Sequence, residues 1–439
     1  MSLSGRTALL TLIGLVPVAL FPGWPALLGW AGFVLLAVLV DLLLAGSPRA
    51  VTVEREPVAA VRLGQPATAE FVLSNTGRRR VRGLVRDGWQ PSAGATGTRQ
   101  PLDLPPGQRR RLSTALTPTR RGDRRAQHVT VRSSGPLGLA ARQMSLTAPG
   151  TLRVLPAFGS RKHLPGKLAR LRELDGRTAL RVRGQGTEFD SLRDYVDGDD
   201  VRSIDWRASA RRQQVVVRTW RPERDRRVVI VLDTGRTSAG RVGVDPTSGD
   251  PSGWPRLDWS MDAALLLAAL ASRAGDHVDF IAHDRVPRAG VYGATRSQLL
   301  PQLVEAMAPL QPALVESDAA AMVSTVQRRV RRRALVVLLT DLNSSALDEG
   351  LMSVLPQLAT RHQVVLAAVG DPRVDRLAAG RADAAQVYDA AAAERSRNDR
   401  GAMATRLRRH GVDVVDAMPE ELAPALADRY LAMKASGKL

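Results

Sequence analysis

The sequence predicts a multidomain membrane protein with a two-helix transmembrane hairpin, a small β-sandwich and a C-terminal doubly wound α/β domain. Three patterns carry this prediction. Two long apolar segments open the chain, short alternating runs follow, and continuous apolar runs alternate with helical patterns in the second half. A chain of 439 residues, 44% of them hydrophobic, can bury the cores of several domains. We expect domain boundaries at 1–49, 50–150, 151–225 and 226–435.

The apolar segments are Thr7–Gly23 and Pro25–Leu44, which have 17 and 20 residues. A helix needs about 20 residues to span a bilayer. The turn between the segments is uncharged, whereas Arg6 and Arg49 flank the pair. Positive flanks predict a two-pass protein of the plasma (inner) membrane, with both termini and the soluble domains in the cytoplasm. A signal peptide is the alternative, but the apolar region is too long and Pro48 crowds the small-residue cleavage site.

The next hundred residues alternate between apolar and polar side chains, as half-buried strands do. Turn residues separate the runs, and several short strands at this spacing are typical of a β-sandwich. The clearest strand patterns are Val51–Arg55, Ala67–Leu73, Arg80–Arg86 and Gln127–Arg132. The stretch from residue 151 to 183 is basic and broken by Pro and Gly, which predicts a connector.

The last domain alternates buried strands with helices, which predicts a parallel sheet covered on both faces. The predicted strands are Arg227–Leu232, His277–Ala282, Ala334–Leu339, Gln363–Val369 and Val412–Val415. The predicted helices are Leu257–Ala274, Arg296–Ala308, Asp318–Arg332, Leu347–Thr360 and Glu421–Met433. A ligand site in such a sheet lies beyond the carboxyl ends of the strands. The first strand is followed there by Asp233.

The net charge of +20 favours binding to an anionic partner, such as nucleic acid or an anionic membrane surface. Nearly all of the cations are arginines, a bias that GC-rich codon usage also produces, so the charge is weak evidence of function. No reader motif or aromatic platform accompanies it, and we expect no nucleic-acid partner. The run Arg328–Arg333 is interpreted as a solvated helix end, with contact to anionic lipid as the alternative. The absence of cysteine excludes disulfides and zinc–thiolate sites.

The stretch Gly184–Arg212 is the most unusual in composition. Seven carboxylates alternate there with five arginines, and three aromatic residues lie among them in a chain with 4% aromatics. Three interpretations remain open: an ion-pair network that joins two domains over an apolar floor of rings, a recognition surface for a partner protein, and a catalytic or metal cluster. The candidate interaction residues are Glu188, Phe189, Arg193, Tyr195, Asp199, Asp200, Arg202, Asp205, Trp206 and Arg211.

This stretch reads GxGxEFxxLRxYxxGDDxRxIDWxASAR, which closely resembles the motif of the bacterial family called domain of unknown function 58. The run Ser134–Leu139 also matches the family's pattern. The resemblance implies a membrane-anchored protein whose α/β domain is von Willebrand factor A-like. It also implies association with a MoxR-type AAA+ ATPase in assembling or maturing other proteins. We therefore expect a non-enzymatic adaptor whose partners are this ATPase and membrane lipid.

The resemblance also implies a degenerate Mg²⁺ site. Von Willebrand A-like domains often bind Mg²⁺ through Asp-x-Ser-x-Ser, a Thr from a later loop and a further Asp, which are hard oxygen ligands. In this chain Gly235 has replaced the first Ser, and Arg236 adds an opposing charge. We expect Mg²⁺ to bind weakly or not at all, and no other cofactor is indicated. The matching ligand positions are Asp233, Thr237, Ser317 and Asp341.

Two other functions compete with the adaptor. The first is a Mg²⁺-dependent hydrolase or phosphatase at the sheet edge, and the second is a basic protein that binds anionic lipid or nucleic acid. The hydrolase lacks a convincing pair of nucleophile and base, because the six histidines are scattered along the chain. The process that the protein serves does not follow from these patterns.

Overall fold

The structure is a computed structural model that describes residues 2–181, 188–221, 226–245, 249, 253–343 and 350–439, without the side chains of 175–181, 188–190 and 219–221. The chain forms two compact units, Met1–Leu155 and Pro156–Leu439. The first combines apolar N-terminal helices with two β-sheets. The second is built on a mostly parallel sheet with helices on both faces.

Apolar helices follow a two-residue strand at the start of the first unit. These elements are β1 (Ser2–Leu3), α1 (Gly5–Ile13), α2 (Leu15–Leu20) and α3 (Trp24–Leu44). Among the described residues, one helix, beginning at Trp24, is long and apolar enough to cross a membrane. The segment Gly5–Leu20 is shorter, and at about 1.5 Å per residue it extends ~24 Å, less than the ~30 Å hydrocarbon core. The structure thus supports one membrane-spanning helix, and the two-span hairpin is not confirmed.

Asp41, near the end of α3, is the one charged residue of that helix. Its side chain is fully buried. The carboxylate accepts hydrogen bonds from the backbone N–H groups of Leu137, Leu139 and Ala140, at 2.7, 2.7 and 2.9 Å. A Cβ at position 135 would lie 2.2 Å from an Asp41 carboxylate oxygen, so only glycine allows this approach. The Ser134–Leu139 run therefore has a structural role: its backbone N–H groups bind the buried carboxylate of Asp41, which has no partner within the apolar helix itself.

Two antiparallel sheets form the rest of the first unit. Their strands are β2 (Val51–Arg55), β3 (Val61–Arg62), β4 (Ala67–Asn75), β5 (Val81–Trp89), β6 (Ala95–Thr96), β7 (Arg99–Leu104), β8 (Arg109–Leu116), β9 (Gly122–Ser134) and β10 (Ala140–Leu155). One sheet has the order β1-β10-β9-β5-β7, with β3 beside β10, and the other has the order β2-β4-β8-β6. Phe71 and Leu73 of the second sheet share one buried cluster with Val85, Val129 and Val131 of the first. Side chains from two sheets in one core are the packing of a β-sandwich.

The strand β10 continues five residues beyond the predicted boundary at 150. A 3₁₀ turn at Gly159–His163 and the helix α4 (Leu164–Arg181) follow it. The backbone N–H of Ser160 donates to the carboxylate of Asp262 at 3.1 Å, and Leu171 is buried. Part of the predicted connector is therefore packed structure that belongs to the second unit.

The second unit contains a two-stranded hairpin, a short helix between its strands, and the large sheet. The hairpin elements are β11 (Glu188–Asp194), α5 (Trp206–Arg212) and β12 (Val216–Arg221). The strands that follow are β13 (Arg227–Asp233), β14 (Arg241–Val242), β15 (Trp254–Pro255), β16 (His277–His283), β17 (Pro287–Val291), β18 (Leu335–Leu339), β19 (Gln363–Val369) and β20 (Val412–Ala417). The helices are α6 (Arg256–Arg273), α7 (Leu299–Met307), α8 (Ala319–Arg329), α9 (Met352–Ala359), α10 (Pro372–Ala378), α11 (Ala384–Arg409) and α12 (Pro419–Ala435).

The large sheet has the order β17-β16-β13-β18-β19-β20. Its pairs are parallel except at β17, an antiparallel edge strand that the sequence patterns did not predict. Residues from α8, α9 and α11 pack with β13 and β18 in one buried cluster, and α6 with α12 covers the other face. The strand order reverses between β13 and β18, which is where open α/β sheets bind ligands.

Candidate functional site

The first candidate site lies at the carboxyl ends of β13 and β18. The strand β13 ends at Asp233, which is 6% exposed. One carboxylate oxygen accepts from the backbone N–H of Gly235 at 2.8 Å and from the hydroxyl of Ser317 at 2.5 Å. The other accepts from the hydroxyls of Thr237 and Thr340, at 3.2 and 2.7 Å. Three hydroxyls and one carboxylate therefore meet at one point.

Gly235 stands where the related pattern has a serine, and the structure shows what fills its space. A Cβ at this position would lie 2.1 Å from the Oγ of Ser317. The hydroxyl of Ser317 therefore occupies the volume that a side chain at position 235 would need. This hydroxyl, which was expected at the Thr position of the pattern, donates to Asp233 from a loop 84 residues away in sequence.

Asp341 does not join this cluster. Nη1 of Arg400 donates to its carboxylate at 2.8 Å, and Nη1 of Arg256 lies 3.4 Å away. The same Arg400 also donates twice to Asp416, at 2.7 and 2.8 Å. Burial alone would lower the pKa of Arg400, but the hydrogen bond to Asp416 and the charge of Asp341 raise it above its usual value. Asp341 is thus the buried partner of an arginine, and Thr340 supplies the oxygen beside Asp233.

The oxygen donors around Asp233 are of the kind that Mg²⁺ prefers, but their charge is low. Asp233 is the single carboxylate in the cluster, and its four hydrogen bonds already use both oxygens. Arg236 turns away and pairs with Glu316 at 2.7 Å in an exposed position. No group of three or more His, Asp or Glu side chains arranged for a metal is found in the described part of the chain. The residues fit a hard cation only weakly.

Two further ionisable groups lie at this edge, at the end of β16. Asp284 is buried and accepts from Nε of Arg288 at 2.6 Å and from two backbone N–H groups. Burial would raise the pKa of Asp284, but these hydrogen bonds lower it. His283 is 1% exposed, and neither ring nitrogen has a hydrogen-bond partner among the described residues. Burial lowers the pKa of His283, against the opposing effect of the nearby carboxylates.

The second candidate site is the hairpin of β11 and β12, together with the residues between these strands, which we call the motif hairpin (188–221). The strands pair antiparallel, with Asp194 opposite Val216. Arg193 donates to Asp199 at 2.5 Å, and Arg218 donates to Asp205 at 2.9 Å. These two ion pairs stabilise the segment that connects the two strands.

Asp205 is also the N-cap of α5. Its carboxylate accepts from the backbone N–H groups of Arg207 and Ala208, at 3.1 and 3.0 Å. The hydrogen bond from Ala208 and the pairing with Arg218 lower the pKa of Asp205. Pairing with Arg193 lowers the pKa of Asp199 in the same way. Local hydrogen bonding therefore accounts for Asp199 and Asp205.

Val216 and Val217 of the motif hairpin are buried, but a tryptophan and three valines of the same segment are exposed. Trp206 is 66% exposed, and Val196, Val201 and Val215 are 61%, 59% and 41% exposed. The expected apolar floor of buried rings is therefore not formed by Trp206. Asp200, Arg202 and Arg211 are exposed and Tyr195 is half-buried, whereas the side chains of Glu188 and Phe189 lie outside the described residues.

The family model described as "Protein of unknown function DUF58" matches residues 191–413. These residues include most of the motif hairpin, Asp233 and the first five strands of the large sheet. The chain belongs to this family. Its membership rests on half of the chain, and the match leaves out the first unit.

Relatives of the chain have been found in other bacteria. An uncharacterized protein of Mycobacterium tuberculosis is 27% identical over 195 residues, which are 44% of this chain and 57% of that protein. The uncharacterized protein YeaD of Bacillus subtilis is 25% identical over 137 residues, which are 31% and 34% of the two chains. The chain thus spans about half the length, or less, of the curated relatives that it matches.

Among solved structures, the PapD-like domain of human CEP192 is similar at 12% identity and a TM-score of 0.19, covering 24% of this chain and 89% of that one. A CARDB domain from Pyrococcus furiosus is similar at 20% identity and a TM-score of 0.18, covering 24% and 91%.

The sequence analysis did not single out three residues that make the polar contacts described above: Asp41, Thr340 and Arg400. Asp41 carried a signal, since a lone carboxylate in an apolar helix needs a partner. Thr340 could not be separated from Asp341, because neighbouring residues after a strand point to opposite sides. Arg400 lies on a polar helix and carried no signal.

Proposed function

We propose that this protein is a membrane-anchored, non-enzymatic adaptor that works with a MoxR-type AAA+ ATPase in the assembly or maturation of other proteins. Three features support the proposal: the membrane-spanning helix, the exposed motif hairpin and the resemblance of its motif to that of proteins associated with such ATPases.

The observation that carries the proposal is the exposure of Trp206 and its apolar neighbours. Large aromatic residues dominate the energetics of protein interfaces. An aromatic ring left 66% exposed among ordered ion pairs is a suitable anchor for a partner. The ion pairs would orient that anchor before binding, which lowers the entropic cost of association.

We further infer that the second unit is von Willebrand A-like. The inference is supported by the antiparallel edge strand β17, by the reversal of strand order beside β13, and by Asp233 at the end of that strand. Such domains commonly serve as protein-binding modules, in agreement with an adaptor. The strand order is shared with other doubly wound folds, so the hydroxyls around Asp233 are the more specific support.

A two-pass topology with cytoplasmic soluble units is also part of the proposal. Gly14 lies against the ring of Trp30, and the indole N–H of Trp30 donates to the backbone of Leu10 at 3.2 Å, so α1 and α3 pack together. Single cysteines at the exposed positions Gly23 and Arg161 test the topology. An impermeant reagent applied to intact cells should label the first and spare the second. Labelling of position 161 would contradict it.

Capture of the ATPase tests the adaptor function. The tagged chain, extracted in detergent, should retain the ATPase in a nucleotide-dependent manner, and Trp206→Ala should abolish retention. Tyr388→Ala is the matched control, because Tyr388 is an aromatic residue of the same unit that is 78% exposed. Equal retention by wild type and Trp206→Ala would contradict the role of the motif hairpin.

Cation binding at Asp233 is a second candidate function, favoured by the three hydroxyls around the carboxylate. Because only one carboxylate is present, we expect a Kd for Mg²⁺ of about 1 mM or weaker. Calorimetric titration of wild type, Asp233→Ala and the exposed control Asp318→Ala tests this. Micromolar binding that Asp233→Ala abolishes would show that the site is a true metal centre.

A further inference from the structure

Several arginines surround the place where α3 leaves the apolar segment. Arg49 follows the helix, and the turn between β4 and β5 carries Arg78, Arg79 and Arg80. Arg6 lies in the first turn of α1, at the same end of the helices. All five side chains belong to exposed residues.

This turn is pressed against the end of the membrane helix. The guanidinium of Arg79 donates to the backbone carbonyl of Leu43, in the last turn of α3. A Cβ at position 46 would lie 2.3 Å from the carbonyl oxygen of Arg80, so Gly46 permits a close backbone approach. On the neighbouring helix, Arg6 lies 3.4 Å from the carbonyl of Leu137. These contacts hold Arg79, the backbone of Arg80 and Arg6 at the end of the apolar helices, while Arg78 adjoins Arg79 in sequence and Arg49 follows α3.

The arginines lie where the exposed apolar surface of α3 ends. Leu39, Leu43 and Leu44 of α3 are exposed, at 52%, 56% and 52%, immediately before the arginines begin. The headgroup layer on each side of a bilayer is about 5–7 Å thick. Guanidiniums attached at the end of the helix reach that layer, where phosphates are their natural partners.

The charges of four of these arginines are not compensated within the described part of the chain. Arg80 is paired with Asp103 at 2.5 Å. Arg6, Arg49, Arg78 and Arg79 have no acidic partner there, and the bonds of Arg6 and Arg79 go to neutral carbonyls. We call these four residues the basic collar. The carboxylate of Asp41 in the neighbouring turn is buried and bound by backbone N–H groups, so four exposed positive charges face one buried negative charge and favour an anionic ligand.

We propose that the basic collar binds the phosphates of anionic phospholipids in the leaflet next to the β-sandwich. This inference rests on the membrane anchoring proposed above. Arg is suited to the role because its planar guanidinium contacts phosphate oxygens in a bidentate manner. Each basic residue near an anionic surface strengthens binding by about fivefold. The collar would hold the β-sandwich at a fixed height above the bilayer and favour anionic lipid around the helices.

Lipid selectivity of the full chain tests the proposal. The chain is reconstituted in phosphatidylcholine vesicles with a trace of spin-labelled phosphatidylglycerol or spin-labelled phosphatidylcholine. Electron spin resonance then gives the relative association of the two lipids with the protein. Wild type should prefer phosphatidylglycerol several-fold. The triple variant Arg49→Gln, Arg78→Gln, Arg79→Gln should lose most of that preference, and the corresponding lysine variant should retain most of it.

The matched control removes three exposed arginines from the opposite end of the sandwich: Arg99→Gln, Arg120→Gln and Arg125→Gln. In the sheet, Arg99 lies opposite Arg86, toward one end of β5. The turn that carries Arg78 and Arg79 directly precedes Val81, at the other end of β5. The control should keep the wild-type preference. Equal preference in wild type and the collar variant, or an equal loss in the control, would overturn the proposal.

Flotation separates this test from the proposed anchoring. Wild type and all three triple variants should float with phosphatidylcholine vesicles after a carbonate wash, since the apolar helix and not the collar inserts. A wild-type chain that fails to float would refute the anchoring itself. A chain that floats but shows no lipid preference would refute only the collar.

Discussion

The Asp233 cluster and the motif hairpin are both organised by hydrogen bonds to aspartate carboxylates, yet they are built in opposite ways. Asp233 is buried, and its hydroxyl partners Ser317 and Thr340 lie 84 and 107 residues away in sequence. In the motif hairpin, the partners of Asp199 and Asp205 lie 6 and 13 residues away, and its central tryptophan is exposed. One region is assembled by the fold and the other by its own sequence.

A sequence motif with closely spaced charged and aromatic residues therefore does not by itself indicate a buried core. Local ion pairs form wherever the chain can turn back on itself, and when exposed they contribute little to stability. A buried polar group is different, because losing its partner leaves it unsatisfied away from water. We therefore expect the conspicuous motif hairpin to govern recognition, and the inconspicuous sheet edge to govern stability.

The largest effect should come from Arg400, the half-buried arginine beside Asp341. Arg400→Met removes a partner from two carboxylates, and the side chain of Asp341 is only 8% exposed. Breaking a buried pair in this way costs about 3–5 kcal/mol. Arg397→Met is the matched control, because Arg397 lies on the same helix and is 50% exposed in its ion pairs. Chemical unfolding in detergent should show a large loss for the first variant and little for the second. Similar losses would break the comparison.

Asp233→Ala should have the next largest effect. It removes the acceptor for three hydroxyls and one backbone N–H. Leaving buried donors unpaired costs about 2 kcal/mol, so the chemical-unfolding midpoint should fall clearly. Asp205→Ala should lower it less, because the side chain of Asp205 is 15% exposed and its partners all lie within the same hairpin. If Asp205→Ala destabilised more than Asp233→Ala, the assignment of stability to the sheet edge would be wrong.

The two regions should also respond to acid at different pH. Burial holds the pKa of His283 below its ordinary 6.5, so its contribution to stability is complete above that pH and declines as the pH falls below it. The pKa of Asp205 lies below its ordinary 3.8, so its contribution is lost only under more acidic conditions.

The free energy of unfolding of wild type and variants is measured at pH 7.5 and at pH 5.5, about one unit above and below 6.5. The comparison shows whether His283 loses its contribution at a higher pH than Asp205 does. His283→Phe should lose less stability than wild type on going to the lower pH, by at most about 1.4 kcal/mol per pH unit. Asp205→Ala should behave as wild type does over this interval. His362, which is also buried, titrates in every variant and cancels in the differences. If His283→Phe lost as much stability as wild type between the two pH values, the pH dependence could not be assigned to His283.

The smallest change in stability should come from Trp206→Ala. Because the side chain is 66% exposed, its removal should leave the melting temperature near the wild-type value. Differential scanning fluorimetry of the extracted chain measures this, with Trp259→Ala as the comparison, since Trp259 is buried and should destabilise strongly. A large drop for Trp206→Ala would show that the ring packs against something in the full assembly.

The sequence by itself determined the elements of the large sheet. Five predicted strands match the structure to within two residues, because buried parallel strands are continuous apolar runs that need no distant information. In the sandwich, alternation predicted β2, β4, β5 and the central part of β9, whereas β3, β6, β7, β8 and β10 were not predicted. The apolar helix at Trp24 and the family of the chain also followed directly from the residues.

The sequence did not determine the length of the first helical segment or the edge strand β17. Both depend on context. Hydropathy alone did not distinguish a full span from the shorter Gly5–Leu20, and an edge strand with a Pro, an Arg and a Gly has no strong pattern.

Tertiary structure alone decided the chemistry of the sites. Only folding brings Ser317 into the space left by Gly235, turns Thr340 rather than Asp341 toward Asp233, and places Arg400 between two carboxylates. Only folding gives Asp41 the backbone of the Ser134–Leu139 turn. Each of these contacts joins residues far apart in the chain, so its energy depends on burial and distance that no local pattern encodes.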